Sequence, residues 1–298
     1  MIAVAGATGY IGSLLCERLR EEEQPVRALA RHPERATALK RGGGEIRKAN
    51  VLEPETLPPA LEGVEVAYYM VHSMGRGSSG DFAELDRRGA ENFAVAAAAA
   101  GVKRIVYMGG LGEGSKHLDS RHATARTLEA GDVPVAYFRA AAVIGAGSES
   151  FRTVFYLVRR LPVMVTPRWV HTRTQPIAIA NAIGYLARAV DLAIPADREI
   201  QIGDPDVTTY GGMIDELARA LGRRRPLRIT VPILTPGLSS LWIGLVTPVD
   251  AGVARPLVEG LSTETVVTDP SGMELFPDQG GTPLRQALRE AVAQAERS

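Results

Sequence analysis

Along the first half of the chain, short apolar runs alternate with longer stretches in which apolar positions recur at helical spacing. The runs Met1 to Ala5, Val26 to Ala30, Glu45 to Val51, Val64 to Val71, Lys103 to Met108 and Val133 to Phe138 predict strands. Val64 to Val71 is apolar enough to be buried on both faces, as parallel strands are. Between the first two runs, Ile11, Leu14, Leu15 and Leu19 mark one face of an amphipathic helix. A long alanine-rich helix is expected from a cap at Asp81 to Gly101, after a flexible link at Arg76 to Gly80, and another from Asp119 to Ala130. Strands and helices alternating at this interval predict an α/β, Rossmann-type doubly wound parallel sheet with helices on both faces.

Beyond Arg139 the regularity loosens. Helices are expected at Phe151 to Leu161, Ala178 to Leu192, Tyr210 to Leu221 and, just after Pro283, Leu284 to Glu296, with a strand at Glu199 to Ile202. The expected organisation is a dinucleotide-binding core over 1–145 and a mixed C-terminal region over 146–298 holding a smaller substrate lobe. Part of that region, about 175–205, is expected to return to the core sheet. The apolar run Ile229 to Leu261 is interrupted by Pro232, Pro236, Pro248 and Asp250, below the ~20 apolar residues a membrane crossing needs. It reads as a buried cap or a dimer surface.

Composition narrows the choices. At 298 residues and 45% hydrophobic content the chain can bury a large core. With 34 basic and 34 acidic residues, net charge offers no case for a nucleic-acid or anionic-membrane partner, and Arg223-Arg-Arg225 reads as a solvated helix end. The single cysteine, Cys16, cannot form an internal disulfide, and the first strand starts at Met1 with no basic leader, so a cytoplasmic protein is expected. The five histidines, at 32, 72, 117, 122 and 171, show no metal-binding spacing, and no metal is expected. The expected partner is a small-molecule substrate, with a homo-oligomer or protein partner left open.

Chemistry enters at the first turn. Gly6, Gly9 and Gly12 follow the first strand and open the first helix, the spacing that permits a tight turn, close backbone approach to a pyrophosphate, and close helix packing. Gly6, Thr8, Gly9, Tyr10, Ile11 and Gly12 are therefore the expected dinucleotide cradle. After the second strand, where a ribose-binding acid is common, the chain carries Arg31, with Arg35 one turn later. Guanidinium groups suit a 2′-phosphate, which favours NADP over NAD. Asn50 and Val51 fall where adenine would lie, and Val71, His72 and Ser73, at the end of the fourth strand, where the nicotinamide half would lie.

The segments Gly6-Ala-Thr-Gly-Tyr-Ile-Gly12, Arg31-His-Pro, Tyr69-Met-Val-His-Ser-Met-Gly75 and Arg139-Ala-Ala-Ala-Val-Ile-Gly145 together resemble the atypical and extended short-chain dehydrogenase/reductases, particularly the NmrA-like branch. The resemblance covers roughly 1–220 and implies a catalytic serine after the fifth strand and a Tyr-x-x-x-Lys helix. This chain departs at each position. The serine position falls at Gly109 or Gly110, His117 stands at the tyrosine position, and Arg121 at the lysine, where it can hold the nicotinamide ribose. His117, with an unperturbed pKa of ~6.5, would be the proton donor, and turnover would fall as pH rises through that value. The resemblance implies an NADPH-dependent oxidoreductase of a carbonyl or quinone, a non-catalytic NADP(H) sensor or partner escort, or, third, a nucleotide-sugar epimerase-like enzyme. Phe151, Tyr156, His171, Arg173 and Gln175 follow the sixth strand and are the expected substrate contacts.

Overall fold

The computed structural model describes residues 1–36, 44–72, 82–166, 168–230 and 262–297. Ser73, the link Arg76 to Gly80, the Asp81 cap and residues 231–261 of the apolar run lie outside them.

The first six strands are β1 (Ile2–Ala5), β2 (Val26–Ala30), β3 (Glu45–Lys48), β4 (Val66–Tyr69), β5 (Arg104–Gly110) and β6 (Val135–Ala140). Shorter ones follow: β7 (Val143–Ile144), β8 (Val163–Thr166), β9 (Arg173–Thr174), β10 (Ile177–Ala178), β11 (Arg198–Ile202), β12 (Thr208–Thr209) and β13 (Leu227–Thr230). The helices are α1 (Tyr10–Glu21), α2 (Leu57–Leu61), α3 (Phe82–Ala99), α4 (Lys116–Glu129), α5 (Glu149–Arg160), α6 (Ile179–Arg188), α7 (Tyr210–Ala220), α8 (Ser271–Leu275) and α9 (Leu284–Ala295).

The main sheet has seven strands in the order β11-β6-β5-β4-β1-β2-β3, each parallel to its neighbours. The order turns back at β1, which pairs with both β2 and β4, so Ile2 faces Val26 on one side and Val66 on the other. In doubly wound sheets the crevice beyond the carboxyl ends of strands at such a reversal is where ligands bind.

Burial explains why these runs became central strands. Every residue of β1, β2 and β4 is buried, and the one charged side chain among them, Arg27 of β2, donates to the Ala60 and Glu62 carbonyls at 3.0 and 2.7 Å and pairs with Glu45. On one face Leu15, Leu19 and Leu186 bring α1 and α6 onto the sheet, and Tyr68 donates its hydroxyl to the Leu186 carbonyl at 2.7 Å. On the other face α2, α3 and α4 cover an aromatic row of Tyr69, Tyr107 and Tyr137, contributed by adjacent strands, with Phe93 5.1 Å from Tyr69. A third core joins α5, α7 and α9.

Two boundaries move for identifiable reasons. Helix α4 starts at Lys116, three residues before the expected Asp119, because the Ser115 hydroxyl accepts from the Leu118 amide and caps it. Strand β5 runs on to Gly110 because Gly109 and Gly110 pair with Arg139 and Ala140.

The C-terminal lobe is tied to the sheet by Asp204, almost fully buried. Its carboxylate accepts from the Ala178 amide at 2.7 Å, the Asn181 side chain at 2.6 Å and the Thr282 amide at 3.2 Å. Two segments distant in sequence, one at Ala178 to Asn181 and one at Thr282, thus close on one group. Replacing it would leave buried donors unpaired, so Asp204→Ala should cost about 2 to 4 kcal/mol of unfolding free energy in urea denaturation.

Candidate functional site

The glycine turn sits at the carboxyl end of β1. Gly6 has φ +82°, and a Cβ there would run into the Met70 carbonyl at the end of β4. A Cβ at Gly12 would run into the Gly6 carbonyl, so α1 begins with its backbone pressed against the turn. Gly9 is the N-cap of α1 and no side chain caps the helix there. The first amides of α1 consequently have no helical carbonyl to bond, which suits them to phosphate oxygens. This side-chain-free cradle fits a dinucleotide pyrophosphate. Tyr10 packs against the loop after β7: a Cβ at Gly147 would strike its ring, and burial raises its phenol pKa.

A cleft of about 250 Å³ runs from this turn across the ends of β4, β5 and β6. Its walls include Gly9 to Gly12, Met70, His72, Gly109, Gly110 and, from the first turns of α4, His117 and Arg121. A smaller, more apolar annex of about 130 Å³ shares His117 and Gly110 with it and extends to Leu118, Val154, Tyr210 and Met213.

The end of β5 is too crowded for the serine that the resemblance implies there. A Cβ at Gly109 would lie 2.7 Å from the Tyr137 hydroxyl, and one at Gly110 would meet a Leu118 methyl. Behind Gly109, Tyr137 lies 2.8 Å from His122 Nδ1, while His122 Nε2 lies 2.8 Å from the Gly112 carbonyl. An imidazole that donates from Nε2 to Gly112 and accepts from Tyr137 at Nδ1 satisfies all three groups. Buried Arg139 donates to the Gly110 and Gly112 carbonyls and pairs with Glu199 at 2.8 Å. The loop between β5 and α4 is thereby fixed to β6 and β11, which sets where α4 presents His117 and Arg121.

Arg121 governs the electrostatics. It donates to the Met108 carbonyl at 3.4 Å, and Tyr107 donates its hydroxyl to the Arg121 carbonyl at 3.3 Å. The His117 pKa is lowered to about 3 by burial and then by the Arg121 charge. The His72 pKa is also lowered to about 3, first by the Arg121 charge, then by desolvation and His117. His72 keeps surface open to solvent, so the cation beside it is the cause with most weight. The expectation of a His117 proton donor with a pKa near 6.5 is therefore corrected: burial, and then a guanidinium one turn along the same helix, disfavour the charged ring, which is neutral at neutral pH.

The other sequence-predicted residues divide clearly. Arg31 stands exposed just past β2, with no carboxylate partner among the described residues, and Arg35 closes the one-turn helix Pro33–Arg35. Thr8 is exposed in the glycine turn, with Ile11 in the first turn of α1. The Asn50 amide is engaged locally, donating to Glu53 at 2.7 Å and accepting from the Leu52 amide at 3.2 Å. Val51 and Val71 pack at the margin of the aromatic core. Phe151 and Tyr156 face a groove against α1 and do not line the cleft. His171 and Arg173 are exposed away from it, and Gln175 bonds the Asp204 carbonyl and the Val267 amide. The helix residues that do line the cleft or annex are Glu149, Ser150, Thr153 and Val154 on α5. Sequence reasoning missed them because α5 buries Phe151 and Phe155 on one face and turns its smaller, polar residues to the ligand side.

In the unliganded protein, proton NMR of the His72 and His117 imidazoles should show no titration between about pH 5 and 8. Because both folded-state pKa values lie below the unfolded value of ~6.5, the stability they contribute is complete above it and is lost as pH falls toward about 3. Arg121→Leu should raise both pKa values, and titration near 6.5 in the parent protein would contradict the assignment.

Residues 6–149 match the family described as NAD(P)H-binding. The NAD(P)H azoreductase of Xenophilus azovorans is 34% identical over 112 residues, 38% of this chain and 36% of that protein. Quinone oxidoreductase 2 of Escherichia coli is 34% identical over 111 residues, 36% of this chain and 35% of that protein. The chain thus covers little more than a third of the length of either relative. The crystal structure of Citrobacter sp. triphenylmethane reductase complexed with NADP(H) superimposes with a TM-score of 0.76 at 20% identity, covering 97% of this chain and 99% of that one, a likeness of fold. With the glycine cradle and the sheet order, these matches show that residues 6–149 are similar to an NAD(P)H-binding family and that the chain as a whole shares the fold of this reductase.

Proposed function

We propose that the protein is an NADPH-dependent oxidoreductase acting on a quinone or another carbonyl compound. The observation that carries this reading is the cleft in which the glycine cradle, His117 and Arg121 meet beside an apolar annex. A bound NADPH would supply a hydride. The glycine turn and the first amides of α1 would hold its pyrophosphate, Arg31 and Arg35 its 2′-phosphate, and Arg121 its nicotinamide ribose. The annex, lined by Leu118, Val154 and Met213, suits a small apolar ring.

Proton handling follows from the electrostatics. A neutral His117 donates a hydrogen bond to the substrate oxygen, and the fixed Arg121 cation stabilises the negative charge that develops there, in a partly desolvated site where such charges count for more. The proton that completes the reduced product comes from water, because neither group carries a readily released proton at neutral pH. The azoreductase and quinone oxidoreductase similarities support the same class of reaction.

By calorimetry NADPH should bind more tightly than NADH. Arg31→Ala should weaken NADPH by roughly 1.5 to 3 kcal/mol, about tenfold to a hundredfold, with little effect on NADH. Equal affinity of the parent protein for both cofactors would refute the NADP assignment.

A screen of quinones and small carbonyls, read by NADPH oxidation, tests the reaction itself. His117→Ala should lower turnover by about a hundredfold while leaving NADPH affinity close to the parent's. The rate should stay level between about pH 5 and 8, where an imidazolium donor would make it fall with rising pH. Tight NADPH binding without turnover on any compound would replace this reading with a cofactor sensor.

A further inference from the structure

The parallel pair β8 and β13 lies on the C-terminal lobe, with Leu227 opposite Val163 and Arg228 opposite Met164. Strand alternation sends one side inward. Met164 is buried, and Arg228 is bonded to the Asp215 carboxylate at 2.7 and 3.0 Å and to the Gly211 carbonyl at 2.7 Å. The same alternation turns Val163, Leu227 and Ile229 outward, 44%, 64% and 49% exposed. A half-buried strand normally presents polar residues to water, and this one presents aliphatic residues on its outer side.

Two basic stretches that are remote in sequence meet beside this face. Arg159 and Arg160 end α5, Arg223 to Arg225 follow α7, and Arg223 donates to the Arg159 carbonyl at 2.6 Å. The Leu227 amide bonds the Pro162 carbonyl at 3.0 Å, which holds the two stretches in register. All five arginines are exposed. Among the described residues, Asp215 is bonded to Arg228, with Arg225 at 3.9 Å, Glu216 pairs with Arg219 and Arg285, and Glu17 and Glu21 of α1 share a groove with Arg159. Arg223 and Arg224, which pair with no carboxylate among the described residues, thus border exposed aliphatic side chains on a chain whose net charge is zero.

We propose that this face is a peripheral docking surface for a bilayer of anionic phospholipid. Guanidinium groups pair with headgroup phosphates, and Val163, Leu227 and Ile229 enter the interfacial layer, so both halves of the patch are used. A nucleic acid would use the arginines but leave the aliphatic residues in water. A two-fold dimer through the same face would bring the arginine clusters of two copies together, a like-charge contact that is costly. Arg228, on the inner side of the pair, is bonded to α7, whose Tyr210 and Met213 line the annex, so docking face and annex belong to one lobe.

Co-sedimentation of the full chain with phosphatidylglycerol and with phosphatidylcholine vesicles tests this. The expected result is association with phosphatidylglycerol alone, released by added salt. An Arg223→Glu, Arg224→Glu double variant should bind about tenfold or more weakly. Leu227→Ser with Ile229→Ser should also weaken binding while keeping its salt sensitivity, and both substitutions sit on exposed positions that urea denaturation can show to be folded. No association with phosphatidylglycerol, equal association with both vesicles, or unchanged binding by both variants would overturn the proposal. So would a dimer in sedimentation velocity that Leu227→Ser dissolves, or an oligonucleotide that binds the chain and displaces it from vesicles.

Discussion

The close contact of backbone on backbone at the first turn is the constraint on which the rest of this protein depends. Gly6 and Gly12 bring strand β1, helix α1 and the end of β4 to distances at which no side chain fits. That approach places the reversal of strand order, the free amides of α1 and the start of the cleft at one point. Everything downstream is arranged around it. Strands β4, β5 and β6 deliver His72, the two glycines of β5 and the Arg139 anchor to the same edge, and α4 lays His117 and Arg121 along the opening.

The cleft is organised by a fixed cation, Arg121. Arg121 keeps its charge throughout the physiological range, so its neighbours adjust to it. Both nearby imidazoles are held neutral at neutral pH by burial and by this charge. The absence of serine is equally physical. Tyr137 already fills the space next to Gly109, and it is held there by His122, which in turn holds the loop carbonyl of Gly112. The polar relay behind β5 is thus a scaffold for α4.

The C-terminal lobe has its own apolar core and is tied to the rest by well-satisfied polar groups. Asp204 ties β10, α6 and the chain before α9 together, and Gln175 joins it to the segment around Val267. Such polar knots suit a region built from short strand pairs, each too small to be stable by itself. They also leave one strand pair with an apolar outer side, next to arginines gathered from two helix ends.

The sequence by itself determined the architecture of the first half and the kind of ligand it takes. Apolar runs buried on both faces, a glycine triplet at fixed spacing and amphipathic helices are local patterns, and each reports directly on a strand, a turn or a packed face. His117 and Arg121 were singled out by the resemblance to a Tyr-x-x-x-Lys helix, while the pattern of the residues started the helix only at Asp119; the structure starts it at Lys116 and so puts both on one helix. What only the tertiary structure decided was the state and company of these groups. The neutrality of His117 depends on burial and on a charge whose effect at the cleft no spacing reveals. The commitment of Asn50 to Glu53, the turning of Phe151 and Tyr156 toward α1, and the meeting of Arg159 with Arg223 depend on how helices rotate and strands pair across long separations. Local patterns specify elements, whereas the facing of a side chain is set by the best burial of its whole element, and that is a property of the packed molecule.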